Sequence, residues 1–180
     1  MLEIYSANFL NANMKKVNLE ELNNEELWLG YADIQQELKK RNLVRTNNIV
    51  GERGEFLAIE TYNSISGLPN LQAAPEGTQN VDALSRKGER YSIKTVSEPG
   101  STTGVFYGIG EKDDEKIPEK KFEYVIIVQI FKDYRPKRII ELNWEQFLKY
   151  KRWHSTMRAW NLSVTKPLLS EAKIIVDNTK

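Results

Sequence analysis

The chain has 180 residues, a length typical of one domain. It contains no cysteine, which excludes disulfides, cysteine-ligated metals and cysteine nucleophiles. Its formal net charge of +1 at pH 7 gives no overall attraction to nucleic acids or membranes, so any such binding depends on local charge.

Hydrophobic segments long enough for a membrane are absent from the sequence. The longest apolar run, residues 125–131, is far shorter than the ~20 residues that cross a bilayer, and it favours a buried strand. The first ten residues lack the basic start and long apolar run of a signal peptide. We therefore expect a cytoplasmic protein with no membrane partner.

Two helices are predicted in the first third of the chain. Residues 18–41 carry apolar side chains at helical spacing, with Asn18 as the N-cap. A second helix is predicted from a cap at Asn47 or Asn48 to about Tyr62. Its two internal glycines indicate that its backbone lies close to a neighbouring element.

Residues 80–95 predict a β-hairpin. Strand-forming residues flank a short turn in which Gly88 takes the left-handed conformation. A hairpin centred on this turn places Asp82 opposite Ser92, and alternation along the strand places Ser92 and Lys94 on one face. A bulge would shift this register by one residue, and an ordinary hairpin with a solvated polar face is the alternative.

The last third of the chain predicts the rest of the sheet. Residues 122–131 indicate a central strand, residues 137–142 its partner, and residues 173–176 a last strand. Asn143 is the predicted cap of a helix between them.

A basic segment covers residues 146–170, which contain no Asp or Glu but several basic side chains with two tryptophans among them. Such a segment suits a phosphate backbone, although basic segments also form ordinary solvated faces and tryptophans commonly lie in cores. The hydroxyl-rich loop after residue 100 suits phosphate oxygens as well. The predicted DNA-binding residues are Thr102, Thr103, Lys151, Arg152, His154 and Arg158.

The hairpin residues have the chemistry of a phosphodiester-cleaving site. Asp82 suits a hard divalent cation, and the backbone carbonyl of Ile93 can supply a second oxygen ligand. Lys94 can orient the attacking water or stabilise negative charge that develops on the phosphate.

Asp82, nine intervening residues and then Ser92-Ile93-Lys94 resemble the core motif of the PD-(D/E)XK nuclease superfamily, at the spacing seen in small type II restriction endonucleases. Residues 50–58 resemble the first core helix of that family, where a glutamate often serves as an extra metal-site carboxylate. The resemblance covers about half of the chain, and the ordered combination is more specific than any of its short motifs.

The resemblance implies an α/β fold with a restriction-endonuclease-like mixed central β-sheet flanked by helices. It implies a single domain over residues 1–180, with an N-terminal helical region at about 1–45 and the core at about 46–180. The implied activity is that of a Mg²⁺-dependent DNA endonuclease of restriction type, with Mn²⁺ as a substitute metal. Double-stranded DNA is the implied partner, and a homodimer is expected because cutting both strands usually takes two active sites.

One position departs from the family pattern, because Ser92 stands where the family has Glu, Asp or Gln. We expect Ser92 to contribute its hydroxyl or to fill the vacated position, and Glu55 to complete the catalytic and metal-binding acidic shell. Glu52, one helical turn earlier, is the alternative, and Glu98 and Glu111 are further candidates. The competing hypotheses are an inactive nuclease-fold protein that binds DNA or a protein, and an immunity-type partner without affinity for nucleic acid.

Overall fold

The computed structural model describes residues 18–45, 48–75, 77–114, 116 and 118–179. It divides into two compact units, one ending at Asn42 and the other beginning at Leu43. The first unit contains a 3₁₀ turn, Leu19–Glu21, and helix α1, Asn24–Lys40. The single domain expected from the sequence stays a prediction.

Helix α1 begins later than predicted, and the N-cap prediction at Asn18 is wrong for this helix. The side chain of Asn23 accepts a hydrogen bond from the Glu26 amide at 3.1 Å, and the Glu26 carboxylate accepts one from the Asn23 amide at 2.8 Å. This reciprocal cap satisfies the first amides of the helix and fixes its start. In the part of the chain that the structure describes, no helix is long and apolar enough to cross a membrane.

The second unit has a mixed α/β fold, as the sequence predicts. Its elements in chain order are α2 (Ile49–Ser64), β1 (Leu71–Ala73), β2 (Ala83–Ser85), β3 (Arg90–Ser97), β4 (Tyr124–Ile130), β5 (Pro136–Asn143), α3 (Trp144–Tyr150), β6 (Arg152–His154), β7 (Ala159–Asn161), α4 (Lys166–Glu171) and β8 (Lys173–Asp177). Six strands form one sheet in the order β1-β2-β3-β4-β5-β8, and β6 and β7 form a separate hairpin. Within the large sheet β3 and β4 are parallel and the other neighbours are antiparallel.

Two hydrophobic clusters cover the opposite faces of the sheet. Consecutive residues of β4 alternate between them, as the period-2 geometry of a strand requires. One cluster contains side chains of α2, and the other contains side chains of α3 and of the β6–β7 hairpin. The sheet is therefore covered on both faces, and most of β4 is fully buried.

The predicted C-terminal elements are confirmed, with strand ends within two residues of those observed. Asn143 caps α3 in a reciprocal capping box with Gln146. The sequence did not predict the hairpin of β6 and β7. Its strands are three residues long, which is too short for a clear alternation of apolar and polar side chains.

Helix α2 lies close against β3. A Cβ atom placed on Gly54 would come within 1.7 Å of Thr95 Oγ1, so the close approach predicted from the helix glycines is confirmed there. A Cβ on Gly51 would instead meet the side chain of Asn48, which is the N-cap and accepts a hydrogen bond from the Gly51 amide at 3.3 Å. Asn47, the other predicted cap, lies outside the described residues.

Candidate active site

The β2–β3 hairpin has the predicted register. Ala83 pairs with Tyr91, which places Asp82 opposite Ser92, and the Asp82 amide donates to the Tyr91 carbonyl at 2.8 Å. Gly88 has a φ of 82°, the left-handed conformation that the three-residue turn needs. Turn chemistry and the pairing of short strands thus bring Asp82 beside the middle of β3.

The carboxylate of Asp82 is held by two donors from β3. Its Oδ2 atom accepts the Ile93 amide at 2.6 Å and the Ser92 hydroxyl at 3.2 Å, and Lys94 Nζ lies 4.0 Å from the same oxygen. Among the described residues both hydrogen bonds end on Oδ2, so Oδ1 remains available to a cation or a water molecule. The completely buried Ser92 thus orients Asp82 through its hydroxyl.

Lys94 lies between Asp82 and an aromatic ring. Its Nζ atom is 5.3 Å from the centroid of the Phe106 ring, a distance at which a cation interacts with the ring face. Thr95, the next residue, contacts α2 on the opposite face of the sheet. Alternation along β3 therefore directs Lys94 to the face that carries Phe106.

The two predicted glutamates of α2 reach the same cleft as Asp82. This cleft has a volume of about 380 Å³, and Glu52, Glu55 and Asp82 all line it. Glu52 is buried and Glu55 is partly buried. Burial raises the pKa of the Glu55 carboxyl above its ordinary value, and the negative charge of Asp82 adds to this effect. The structure therefore brings three of the predicted acidic residues, Asp82, Glu55 and Glu52, to one cleft.

Arg45 is a further residue of the cleft that the sequence did not identify. Its Nη2 atom lies 2.8 Å from Glu55 Oε2, and its Nε atom lies 3.5 Å from Glu52 Oε2. The positive charge of this guanidinium opposes the effects of burial and Asp82, because it lowers the pKa of Glu55. Its position shortly before the helix cap is the only signal in the sequence, and it does not distinguish this arginine from the others.

The donor set fits a hard divalent cation such as Mg²⁺, which commonly takes one or two carboxylates and keeps several waters. Asp82 and Glu55 both line the cleft and can supply carboxylate oxygens. The Ile93 amide points to Asp82, and the carbonyl of the same residue points to the same edge of the strand. Within the described residues, no group of three or more His, Cys, Asp or Glu side chains is arranged closely enough to hold a metal ion.

The further acidic candidates lie in other surroundings. Glu98 pairs with Lys137, and Glu111 pairs with Arg158 beside a different cleft. Neither belongs to the lining of the cleft that contains Asp82.

Two of the predicted DNA contacts share one exposed surface. Thr102 Oγ1 lies 3.1 Å from Ser163 Oγ, and Arg152 Nη1 lies 3.5 Å from the same hydroxyl oxygen. Thr103 differs, because it is buried and its hydroxyl accepts the Leu162 amide at 3.1 Å. Thr103 therefore supports the loop from inside.

The other basic candidates are spread over the β6–β7 hairpin. Lys151 Nζ lies 3.6 Å from the centroid of the Trp160 ring, and burial lowers the pKa of this lysine. His154 accepts the Met157 amide through Nδ1 at 3.2 Å and so supports the turn. Arg158 is 75 % exposed and lies 3.4 Å from Glu111.

The basic hairpin lies on the same face of the sheet as Lys94. The Phe106 amide donates to the Trp160 carbonyl at 2.6 Å, and both side chains belong to one hydrophobic cluster. Since Lys94 also contacts the Phe106 ring, a continuous path of contacts joins Lys94 to the hairpin. The tryptophan itself is a core residue, whose Nε1 donates to the Gly110 carbonyl at 2.9 Å.

Comparison with known proteins found no match, either among protein-family models or among curated proteins.

Proposed function

We propose that this chain is a metal-dependent endonuclease of restriction type, with a PD-(D/E)XK-like fold, that hydrolyses phosphodiester bonds of double-stranded DNA. The observation that carries the proposal is the placement of Asp82, Ser92 and Lys94 across one hairpin, with the Glu55 carboxylate in the cleft that Asp82 lines. Carboxylates that can hold a divalent cation, with a lysine beside one of them, are groups that catalyse phosphodiester hydrolysis.

Each residue has a role that follows from its contacts. Asp82 presents a carboxylate oxygen whose orientation is held by the Ile93 amide and the Ser92 hydroxyl. Lys94 is close enough to Asp82 to orient a water molecule bound between them, and its charge stabilises negative charge on the phosphate. Glu55, or Glu52 as the alternative, supplies the carboxylate that position 92 lacks.

A bound Mg²⁺ or Mn²⁺ would be held by Asp82, Glu55 and the Ile93 carbonyl. It would supply Lewis acidity toward the phosphate and lower the pKa of a bound water. The protein positions these ligands from two elements, a helix and a hairpin, which pack together through Gly54 and Thr95.

DNA is expected to approach from the face that carries Lys94. Thr102 and Arg152 are exposed and both lie near the partly buried Ser163, so this group offers a cation and hydroxyls to phosphate oxygens. The homodimer remains part of the proposal, because each chain contributes one candidate site and a double-strand cut usually takes two.

A second candidate function is that of an inactive nuclease-fold protein that binds DNA or another protein. Two observations favour it. Position 92 carries a neutral hydroxyl, and Arg45 already pairs with both helix glutamates. This form of the protein would bind its partner without cleaving it.

The test is incubation of supercoiled plasmid with the purified protein in Mg²⁺, in Mn²⁺ and in EDTA. We expect metal-dependent cleavage that falls at least about a hundredfold in Lys94→Ala and in Asp82→Asn. Lys87→Ala is the matched control, because it removes a lysine from the exposed turn of the same hairpin. Circular dichroism establishes that each variant is folded.

Undiminished cleavage by folded Lys94→Ala would reject this site. DNA that is bound in a salt-dependent manner but cut with neither metal would favour the binding protein instead. Absence of both binding and cleavage would leave the immunity-type partner as the remaining hypothesis.

A further inference from the structure

Arg45 holds two carboxylates of the candidate metal site at once. Its Nη2 atom lies 2.8 Å from Glu55 Oε2 and its Nε atom 3.5 Å from Glu52 Oε2. The arginine side chain is 38 % exposed, whereas the side chains of Glu52 and Glu55 are 10 % and 24 % exposed. The guanidinium is thus more exposed to solvent than the two carboxylates that it contacts.

The cleft needs such a cation when no metal is bound. Among the described residues its lining contains three carboxylates and one guanidinium, a formal charge of minus two before Lys94 is considered. Glu52 and Glu55 lie one helical turn apart and repel each other, more strongly because water is partly excluded. Arg45 offsets this repulsion in the absence of metal.

The same contact opposes a divalent cation. Arg45 already donates to a Glu55 carboxylate oxygen, and its guanidinium charge would repel a divalent cation that bound the same carboxylate. We propose that Arg45 is an internal cation that competes with Mg²⁺ for Glu52 and Glu55 and is displaced when the metal binds. This inference rests on the proposed function, because it concerns the metal site of that reaction.

Arg45 is therefore a positioning residue. Without metal it keeps the two helix carboxylates inside the cleft, and it sets the metal concentration at which they become ligands. Metal affinity should rise when the arginine is removed, which is the opposite of what the loss of an ordinary structural contact would cause.

The experiment is a titration of the full chain with Mn²⁺, with free metal followed by electron paramagnetic resonance. We expect Arg45→Ala to bind Mn²⁺ about tenfold more tightly than the unmodified protein, and Arg45→Lys to lie between the two. Arg41→Ala is the matched control and should leave the affinity unchanged, since Arg41 pairs with Glu37 on α1. Asp82→Asn establishes that the measured binding belongs to this cleft, because it should weaken that binding.

The outcomes separate the inference from the proposed function. Binding that is lost in Asp82→Asn but is equal or weaker in Arg45→Ala overturns the competition and leaves the metal site standing. Absence of Mn²⁺ binding in both the unmodified protein and Arg45→Ala overturns the metal site together with the inference. Binding seen only in Arg45→Ala supports the inference, since the competitor then blocks the site fully. If Arg45→Ala is unfolded, Arg45→Lys decides alone, and an affinity no higher than that of the unmodified protein overturns the inference.

Discussion

Arg90 and Arg45 both pair with glutamates, but Arg90 directs two side-chain donors to one carboxylate, whereas Arg45 is shared between two. The Nε and Nη2 atoms of Arg90 bond to the two carboxylate oxygens of Glu123 at 3.1 and 2.8 Å, and its backbone amide adds a third bond at 2.7 Å. These hydrogen bonds lower the pKa of Glu123 to about 2. In the cleft, one guanidinium is divided between two acids, and the pKa of Glu55 is raised by burial and by Asp82.

The difference separates a structural ion pair from a candidate ligand site. The Arg90 pair joins the starts of β3 and β4 and leaves each charge with its partner. Among the described residues that line the cleft around Arg45, carboxylates outnumber cations, and a small ligand can enter this cleft. An excess of negative charge of this kind is common at functional sites, because a bound cation neutralises it.

The largest expected effect is that of a substitution that disrupts the cleft and leaves the Arg90 pair in place. Gly54→Ala would place a methyl group 1.7 Å from Thr95 Oγ1, so α2 must move away from β3 and carry Glu52 and Glu55 with it. We expect the free energy of unfolding in urea to fall by about 3 kcal/mol.

Gly30→Ala is the matched control for this change. Gly30 also lies within a helix, but a Cβ atom there has no neighbour within 4 Å among the described residues. Alanine is the better helix former, so we expect a gain of about 0.5 to 1 kcal/mol. Equal stability of Gly54→Ala and the unmodified protein would show that α2 does not depend on this close contact.

The second prediction tests the ion pair between Arg90 and Glu123. Glu123→Gln should lower the free energy of unfolding by about 1 to 2 kcal/mol at pH 7, because it removes a charged partner from three hydrogen bonds. A carboxyl whose pKa is lowered by folding stabilises the protein above its ordinary pKa, and this contribution is lost as the pH falls toward 2. Urea unfolding at a series of pH values should therefore show the difference shrinking toward pH 2. A difference that stays constant with pH would show that the charge of Glu123 is not the source of the stability.

The smallest effect has the opposite sign. A carboxyl whose pKa is raised by folding stabilises the protein below its ordinary pKa, and this contribution is lost as the pH rises through the raised value. Glu55 is such a group, so its charge at pH 7 is unfavourable to folding. We expect Glu55→Gln to raise the free energy of unfolding by about 0.5 kcal/mol at pH 7, measured beside Glu123→Gln. A loss as large as that of Glu123→Gln would show that both glutamates are equally well paired.

Local rules predicted the hairpin correctly. The position of Gly88 in the turn and the alternation along β3 were sufficient to place Asp82 opposite Ser92 and to separate Lys94 from Thr95. These features depend on backbone geometry over about a dozen residues, so no distant contact is needed to derive them.

Contacts between distant elements were harder to predict. The place of Glu55 in the cleft was expected from the family resemblance, and the contact of Arg45 was not predicted at all. That contact joins residues ten positions apart, and no local pattern in the sequence marks Arg45 as a partner of Glu55. The β6–β7 hairpin was missed because its pairing depends on the packing of Trp153 against Trp160, which short strands do not reveal.

The complete burial of Ser92 also limits which sequences are accessible to this chain by single substitutions. A glutamate there would add bulk and a charge to a space that a serine already fills. The surrounding side chains and backbone would have to shift to accommodate it, which destabilises the fold. The hydroxyl that holds Asp82 would be lost in the same step. A return to an acidic residue at position 92 therefore requires prior substitutions at neighbouring positions. Substitutions that add or remove a carboxylate are easier to accommodate at the less buried positions on α2.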